Sequence, residues 1–119
     1  MSHKAYQKMQ VATDDPRSTE YRLFAQITHA LISASEKGRK DIRGLVDAVD
    51  WNRRLWSALA GQCIDPANKL PDALRAQSIS LSIWVSRYSS EVVQDGASLE
   101  PLIDVNKSIM AGLAQRPSA

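Results

Sequence analysis

Side chains that commonly carry enzyme chemistry are sparse in this sequence. It holds two histidines, His3 and His29, and one cysteine, Cys63. No carboxylate–histidine pair has the spacing of metal ligands. The glycines are scattered rather than grouped in a phosphate-binding loop, and no serine stands in a G-x-S-x-G motif. The sequence therefore predicts no catalytic residue, no metal site and no cofactor, and we expect a protein that is not an enzyme.

Charge and cysteine usage limit the function classes further. A formal net charge of +2 gives no strong reason to expect a nucleic acid partner. A single cysteine cannot form an intramolecular disulfide, which fits a reducing cytoplasm. No apolar run approaches the roughly 20 residues of a membrane span, and the first residues do not resemble a signal peptide. We expect a cytoplasmic protein that does not enter a membrane.

The elements that must position any functional residue are helices. Apolar residues recur at helical spacing and no strand alternation is evident. Residues 1–119 are predicted to form a single all-α domain, a compact antiparallel bundle of four main helices. Residues 1–14 are expected to be flexible or to form a short extra helix near Tyr6–Val11, and 116–119 to form a tail.

Caps and breakers set the predicted boundaries of the helices. Gly38 is expected to close helix 1, while Asp41 and Ser98 are expected to cap helices 2 and 4. Pro71 is expected to begin helix 3. The predicted helices cover about 16–37, 41–61, 71–94 and 98–115.

Two asparagines interrupt otherwise apolar stripes. Asn52 lies at the centre of the helix 2 stripe beside Trp56, and Asn106 lies within the helix 4 stripe. A buried amide can fix the register of a bundle, and we expect that of Asn52 to bond to backbone in the "DPANKLP" connection or at a helix end. Direct contact with a ligand is the alternative. Trp56 is predicted to be a core anchor, with Trp51 and Trp84 only partly buried.

Helices 1 and 3 carry more apolar surface than a small bundle can bury. Helix 3 is apolar nearly all round, and helix 1 has a second apolar strip. Part of this surface is expected to bind a partner or a second copy of the chain. Arg53 and Arg75 lie beside the apolar stripes, and we expect them to pair with acidic groups at the rim of this binding surface. The predicted partner-binding residues are Leu23, Ile27, Arg53, Arg75, Ile79, Ile83 and Trp84.

The densest basic patch lies between helices 1 and 2. A solvated turn is one interpretation, and contact with RNA or an acidic partner is the other. No aromatic residue interleaves with the patch, which argues against RNA. Its residues are Lys37, Arg39, Lys40 and Arg43.

Several ordered motifs resemble the FlaF family of flagellar biosynthesis proteins. They are "NRRLW" at 52–56, "DPANKLPDALRAQSI" at 65–79, "IWV" at 83–85 and "LIDVNKSIMAGL" at 102–113, with "AYQ" near the start. The resemblance covers about residues 5–115. The motif positions include those predicted to be structural, which are Asn52, Leu55, Trp56, Asn68, Leu70, Pro71, Leu74 and Asn106. They also include Arg53, Arg75, Ala76 and Trp84.

The resemblance implies a cytoplasmic, non-enzymatic role in flagellum biogenesis. Members of the family act with flagellin, as regulators of its synthesis or as chaperones for its export. Flagellin is therefore the expected partner, and the companion protein FlbT is a second candidate. A chaperone needs apolar surface to cover amphipathic helices, and the terminal segments of flagellin are of that kind. The alternatives are an RNA-binding regulator of flagellin expression and a structural subunit that forms a homodimer through helix 3.

Overall fold

The described part of the chain is mostly helical. The structure is a computed structural model that describes residues 16–68 and 71–114, and within 16–18 only the backbone. Its elements are α1 (Pro16–Lys37), a 3-10 turn (Gly38–Asp41), α2 (Ile42–Ile64), α3 (Asp72–Asp95) and α4 (Glu100–Ala114). No strand occurs among these residues, so the all-α prediction is confirmed for them. The predictions for 1–14 and 116–119, including a helix near Tyr6–Val11, lie outside the described residues.

The bundle has three long helices and one shorter helix. Helices α1, α2 and α3 contain 22, 23 and 24 residues, whereas α4 contains 15. Helix α2 packs extensively against α1 and α3, and α4 packs against α1 but touches α3 only slightly. The prediction of four main helices is therefore confirmed only in part, because three helices are long while α4 is shorter and packs mainly against α1.

Helix α2 runs antiparallel to both α1 and α3. Trp56 of α2 contacts Phe24 of α1 and its carbonyl accepts a hydrogen bond from Ser82 of α3. Nearer the start of α2, the 3-10 turn residue Arg39 reaches Val92, ten residues further along α3. Residue numbers thus rise along one helix as they fall along its neighbour. Helices α1 and α3 are consequently parallel to each other, and their first residues lie at the same end of the bundle.

Local chemistry explains most helix ends. Gly38 has a φ of 61° and ends α1, because glycine adopts the left-handed region without strain. Gly96, with a φ of 76°, ends α3 in the same way. Asp41 caps α2 by accepting a hydrogen bond from the Gly44 N–H at 3.1 Å. The Ser98 hydroxyl accepts one from the Glu100 N–H, also at 3.1 Å, so the predicted cap lies just before α4.

Two predicted boundaries shift. Helix α2 continues past Gly61 to Ile64, because the first residue that cannot be helical is Asp65, held extended with ψ of 125° by the following Pro66. Helix α3 begins at Asp72, with Pro71 as its N-cap rather than its first helical residue. The carbonyl of Pro71 accepts the first backbone hydrogen bond of the helix, from the N–H of Arg75.

The core lies where α1, α2 and α4 face one another and the second half of α3. Burial of this apolar area is the main force that holds the bundle together. Trp56 is the largest side chain in the core and meets Phe24 edge to face, with ring centroids 5.7 Å apart. The prediction that Trp56 anchors the core is confirmed. The other large apolar side chains with almost no exposure are Ile27, Leu31, Val49, Val85, Val92 and Leu102.

Candidate partner-binding surface

A buried polar network sets the register of α1, α2 and α4. Asn106 accepts a hydrogen bond at Oδ1 from the indole Nε1–H of Trp56, at 2.9 Å. Its Nδ2 donates to Asn52 Oδ1 at 2.8 Å and to Thr28 Oγ1 at 3.2 Å. Both asparagines are fully buried. The amide of Asn106 therefore joins three helices at one point.

The expected partner of Asn52 is corrected by this geometry. Asn52 is buried as predicted, but it bonds to a side chain of α4 rather than to backbone in the α2–α3 connection. The reason is that α4 brings a second buried amide opposite the first, and a buried acceptor favours the nearest good donor. Within the described residues, the Asn52 Nδ2 has no hydrogen-bond partner. The interior position also leaves Asn52 unable to touch a ligand at the surface.

Polar side chains also fasten α3 to the rest of the bundle. Arg53 of α2 donates from its terminal NH2 group to the Ser90 hydroxyl at 3.1 Å and to the Ser86 carbonyl at 3.4 Å. Ser82 donates to the Trp56 carbonyl at 2.9 Å. Arg53 thus joins α2 to α3, because small serines on α3 let its guanidinium reach across. Its predicted contact with a partner stays a prediction.

The basic patch is not uniformly available to a ligand. Arg39 donates to the Val92 carbonyl at 2.7 Å, near the C-terminal end of α3. Helix C-termini attract cations because their last carbonyls lack helical partners. Lys37, Lys40 and Arg43 remain exposed. Sequence patterning grouped these four cations, but one of them holds the 3-10 turn against α3.

The α2–α3 connection organises its own backbone. Asn68 donates from Nδ2 to the Gln62 carbonyl at 3.0 Å, and its backbone N–H bonds to the Asp65 carbonyl at 2.9 Å. These bonds satisfy carbonyls at the end of α2. The structural role predicted for Asn68 agrees with this position. Leu70, predicted to be structural as well, lies outside the described residues.

Helix α3 presents apolar side chains to solvent. Ile83 is 52% exposed and Trp84 is 37% exposed, the latter stacked on Tyr88 with ring centroids 5.2 Å apart. Ile79 is half-buried, and Arg75 is partly exposed and pairs with Asp72 at 3.4 Å. The structure therefore places Ile79, Ile83, Trp84 and Arg75 on surface that a partner could reach.

Leu74 lies on the face of α3 that packs into the core further along the helix, but Leu74 itself is exposed. It precedes Val85 and Val92 by 11 and 18 residues, three and five full helical turns, so all three share one face of α3. Both valines are completely buried, yet Leu74 is 49% exposed. The difference arises because the first turns of α3 extend to the end of the bundle, where the described helices do not cover them. Leu74 thus adds to the accessible apolar surface.

The second apolar strip of α1 is mostly ordinary core. Ile27 is completely buried, so its predicted place in a partner-binding surface is wrong. Helix α1 packs against both α2 and α4, and this double contact covers the strip. Only Leu23, one turn closer to the start of α1, keeps substantial exposure.

The remaining sequence expectations concern single residues. His29 is exposed on α1 and Cys63 is buried on α2. Trp51 and Trp84 both keep more than a third of their surface exposed, in agreement with the prediction that they are only partly buried. No described helix meets the length and apolarity of a membrane span. Within the described ranges, histidine, cysteine and acidic side chains form no cluster suited to a metal ion.

A family model matches most of the chain. The family model described as "Flagellar protein FlaF" matches residues 2–113, which is nearly the whole chain. No curated protein and no solved structure matches the chain.

Proposed function

Because the chain belongs to the FlaF family of flagellar proteins, we propose that it binds flagellin in the cytoplasm and promotes its synthesis or export. The observation that carries this proposal is the exposed apolar surface of α3. Ile83 and Trp84 are large apolar side chains that solvent reaches, and the half-buried Ile79 lies one turn before Ile83. Such surface is typical of a binding site for an amphipathic helix.

Several features suit a chaperone of this kind. Flagellin segments that are disordered before assembly have apolar faces that need cover, and α3 offers a long helix for them to pack against. The rest of the chain fixes α3 through Arg53 and Ser82, so the surface is presented on a rigid support. The proposed activity is binding without chemistry, which needs neither a catalytic group nor a cofactor. FlbT is proposed as a second partner within the same pathway.

Isothermal titration of the full chain with its cognate flagellin tests the proposal. We expect saturable binding, and we expect Ile83→Asp to weaken it by more than tenfold, because the new carboxylate must be desolvated in the interface. Gln26→Asp supplies the matched control, since it places the same charge on the exposed surface of α1. Absence of binding by the parent chain, with flagellin shown to be polymerisation-competent, would refute the proposal.

RNA binding is the second candidate function. Three exposed cations, Lys37, Lys40 and Arg43, surround the 3-10 turn and could contact phosphates. A gel-shift titration on the flagellin leader RNA tests it. Binding that falls steeply with salt and is lost in the Lys37→Gln, Lys40→Gln, Arg43→Gln triple variant would favour RNA over flagellin as the ligand. Arg39 is left in place because it stabilises the fold.

A further inference from the structure

Helix α3 carries a row of accessible side chains on the side that faces away from the core. At about 100° per residue, this row lies opposite the completely buried Val85 and Val92. Within the row, Ile83 is 52% exposed, Ile79 is half-buried and the other members are exposed. We call this row the outer face of α3; its residues are Asp72, Ala76, Ile79, Ser80, Ile83 and Arg87.

The outer face is ordered symmetrically about a point between Ile79 and Ser80. Ala76 and Ile83 lie equally far from this point on opposite sides, and so do Asp72 and Arg87, further out. Each of these pairs joins complementary side chains, a small one with a large one and an acid with a base. When two copies of one helix pack antiparallel about such a point, the two members of each pair come to the same level, because both helices rise equally per residue.

The charges of the outer face favour the antiparallel orientation. Arg87 is exposed and forms no ion pair with another described residue. The Asp72 side chain is 98% exposed, although it pairs with Arg75 at 3.4 Å. In an antiparallel pair, Asp72 of each copy lies level with Arg87 of the other, which gives two attractive contacts. A parallel pair would instead place like charges opposite each other, which is unfavourable.

The middle of the outer face suits close packing of two helices. The small side chain of Ala76 leaves room for Ile83 of the second copy, and Ser80 is small enough to let the helices approach at the axis. Ile79 lies on the other side of the axis, where it meets Ile79 of the second copy. Association therefore removes Ile79 and Ile83 of both copies from water, which is favourable.

We propose that two copies of this chain associate through the outer faces of their α3 helices as an antiparallel pair. A second copy is the occupant that the observations support, because both the size and the charge of the outer face complement the same face turned end to end. One helix from each copy buries less than the roughly 1,200 Å² of a standard interface, so we expect a weak, reversible dimer with a Kd on the order of micromolar.

The dimer also has a consequence for the proposed function. It needs no flagellin to form, but it covers Ile79 and Ile83, which are part of the surface proposed to bind flagellin. If that function holds, flagellin and the second copy compete for the outer face. The dimer would then shield this apolar surface until flagellin is present.

Sedimentation equilibrium of the full chain tests the association and its charge pairs. We expect the mass to rise with concentration from 13.2 kDa toward twice that value. Arg87→Asp and Asp72→Arg, made singly, should each weaken the dimer at least tenfold, because each places like charges opposite each other. The double variant should recover most of the loss, since it restores both pairs in reverse. Lys107→Asp, an equal charge change at an exposed position of α4, is the control and should have little effect. Circular dichroism checks that every variant folds.

Disulfide crosslinking between copies tests the register. The background is Cys63→Ser, which removes the one native thiol, with Cys63→Ala in reserve if folding suffers. Ser80→Cys should crosslink readily, because the two copies of this position meet at the axis within the reach of a disulfide. Gln77→Cys is an exposed control on the same helix but off the outer face. Gln94→Cys lies on the same side of α3, yet in the antiparallel pair it is about 43 Å from its copy along the helix, so it should not crosslink.

Each alternative result would overturn the proposal. A chain that stays monomeric at hundreds of micromolar excludes the dimer, and a dimer that neither charge reversal weakens uses another surface. Faster crosslinking of Gln94→Cys than of Ser80→Cys would mean that the helices pair in parallel. Flagellin is absent from all these measurements, so a failure of flagellin binding would refute the proposed function and leave the dimer standing.

Discussion

The indole N–H of Trp56 donates to Asn106 Oδ1 across 2.9 Å, between residues 50 positions apart in the chain. This bond satisfies the one polar atom of the largest core side chain in a site without water access. Asn106 also uses its Nδ2, toward Asn52 and Thr28. The polar network thus fixes both the rotation and the longitudinal position of α4 against the core.

Asn106→Leu is expected to lower the free energy of unfolding by about 2–4 kcal/mol. The substitution leaves the Trp56 N–H, the Thr28 hydroxyl and the Asn52 carbonyl oxygen without their Asn106 partner. Urea denaturation measures the loss. Lys107→Leu, at the exposed neighbouring position, should change stability by less than about 0.5 kcal/mol. Equal effects of the two variants would show that the network does not stabilise the fold.

Asn52→Leu is expected to cost less, about 0.5–1.5 kcal/mol. The change removes the acceptor of one Asn106 bond, but it also removes a buried Nδ2 that has no partner among the described residues. These two effects oppose each other. The same urea denaturation ranks the variants, and an Asn52→Leu loss larger than that of Asn106→Leu would contradict this account of the network.

Arg39→Met is expected to destabilise the fold by about 1–2 kcal/mol, because the Val92 carbonyl loses a charged donor at 2.7 Å. Methionine keeps most of the aliphatic length of arginine, so the comparison isolates the guanidinium. Lys40→Met removes a neighbouring exposed charge and serves as the control. Thermal melts should separate the two. If Arg39→Met and Lys40→Met melt at the same temperature, the basic patch affects stability only through its net charge.

Ile83→Asp should leave folding intact, with stability within about 0.5 kcal/mol of the parent, because the side chain is 52% exposed. Ile27→Asp is the contrasting variant: it buries a charge in the core and should abolish cooperative folding. Circular dichroism with urea titration measures both. Unfolding of Ile83→Asp would mean that the outer face of α3 is enclosed in the free protein.

The phenol of Tyr88 should titrate above its ordinary pKa of 10.0, chiefly because burial disfavours the charged form and secondly because of the Glu91 carboxylate. A raised folded pKa stabilises the protein below pH 10.0, and this contribution is lost as the pH rises through the folded pKa. Tyrosinate absorbance of the parent minus that of Tyr88→Phe isolates the group.

Glu91→Gln should lower the Tyr88 pKa, while Asp104→Asn on α4 should leave it unchanged. The hydrogen bond from the Tyr88 hydroxyl to the Ser98 carbonyl, at 2.6 Å, remains in both variants. If the Tyr88 pKa is the same in Glu91→Gln as in the parent protein, burial alone causes the rise.

Sequence patterning predicted what depends on local spacing. The helical stripes, the glycine at the end of α1, the Asp41 cap and the buried position of Trp56 all follow from near neighbours in the chain. Gly61 predicts an end for α2 that is three residues too early, because the helix continues until Asp65, whose backbone is restricted by Pro66.

Contacts between distant residues were harder to predict. Two amides centred on separate apolar stripes indicate buried polar groups, but the pairing of Asn52 with Asn106 depends on how α4 packs against the other helices, which neither stripe shows by itself. The burial of Ile27 depends on α1 having neighbours on two sides, which spacing within α1 cannot show. The hydrogen bonds of Arg39 and Arg53 to α3 cannot be predicted from charge pattern or periodicity, because their acceptors are a serine hydroxyl and backbone carbonyls.

The polar network has a consequence for synthesis on the ribosome. Thr28 and Asn106 are 78 residues apart, and α4 is translated after the helices that its asparagine joins. Until α4 emerges, the nascent helices α1, α2 and α3 contain Trp56 and Thr28 without their hydrogen-bond partner Asn106. The polar network therefore does not yet fix the register of these helices. The chain is therefore expected to complete its fold after translation of α4. Stalled nascent chains that end before Asn106 should be cleaved by protease much faster than chains in which α4 has left the exit tunnel.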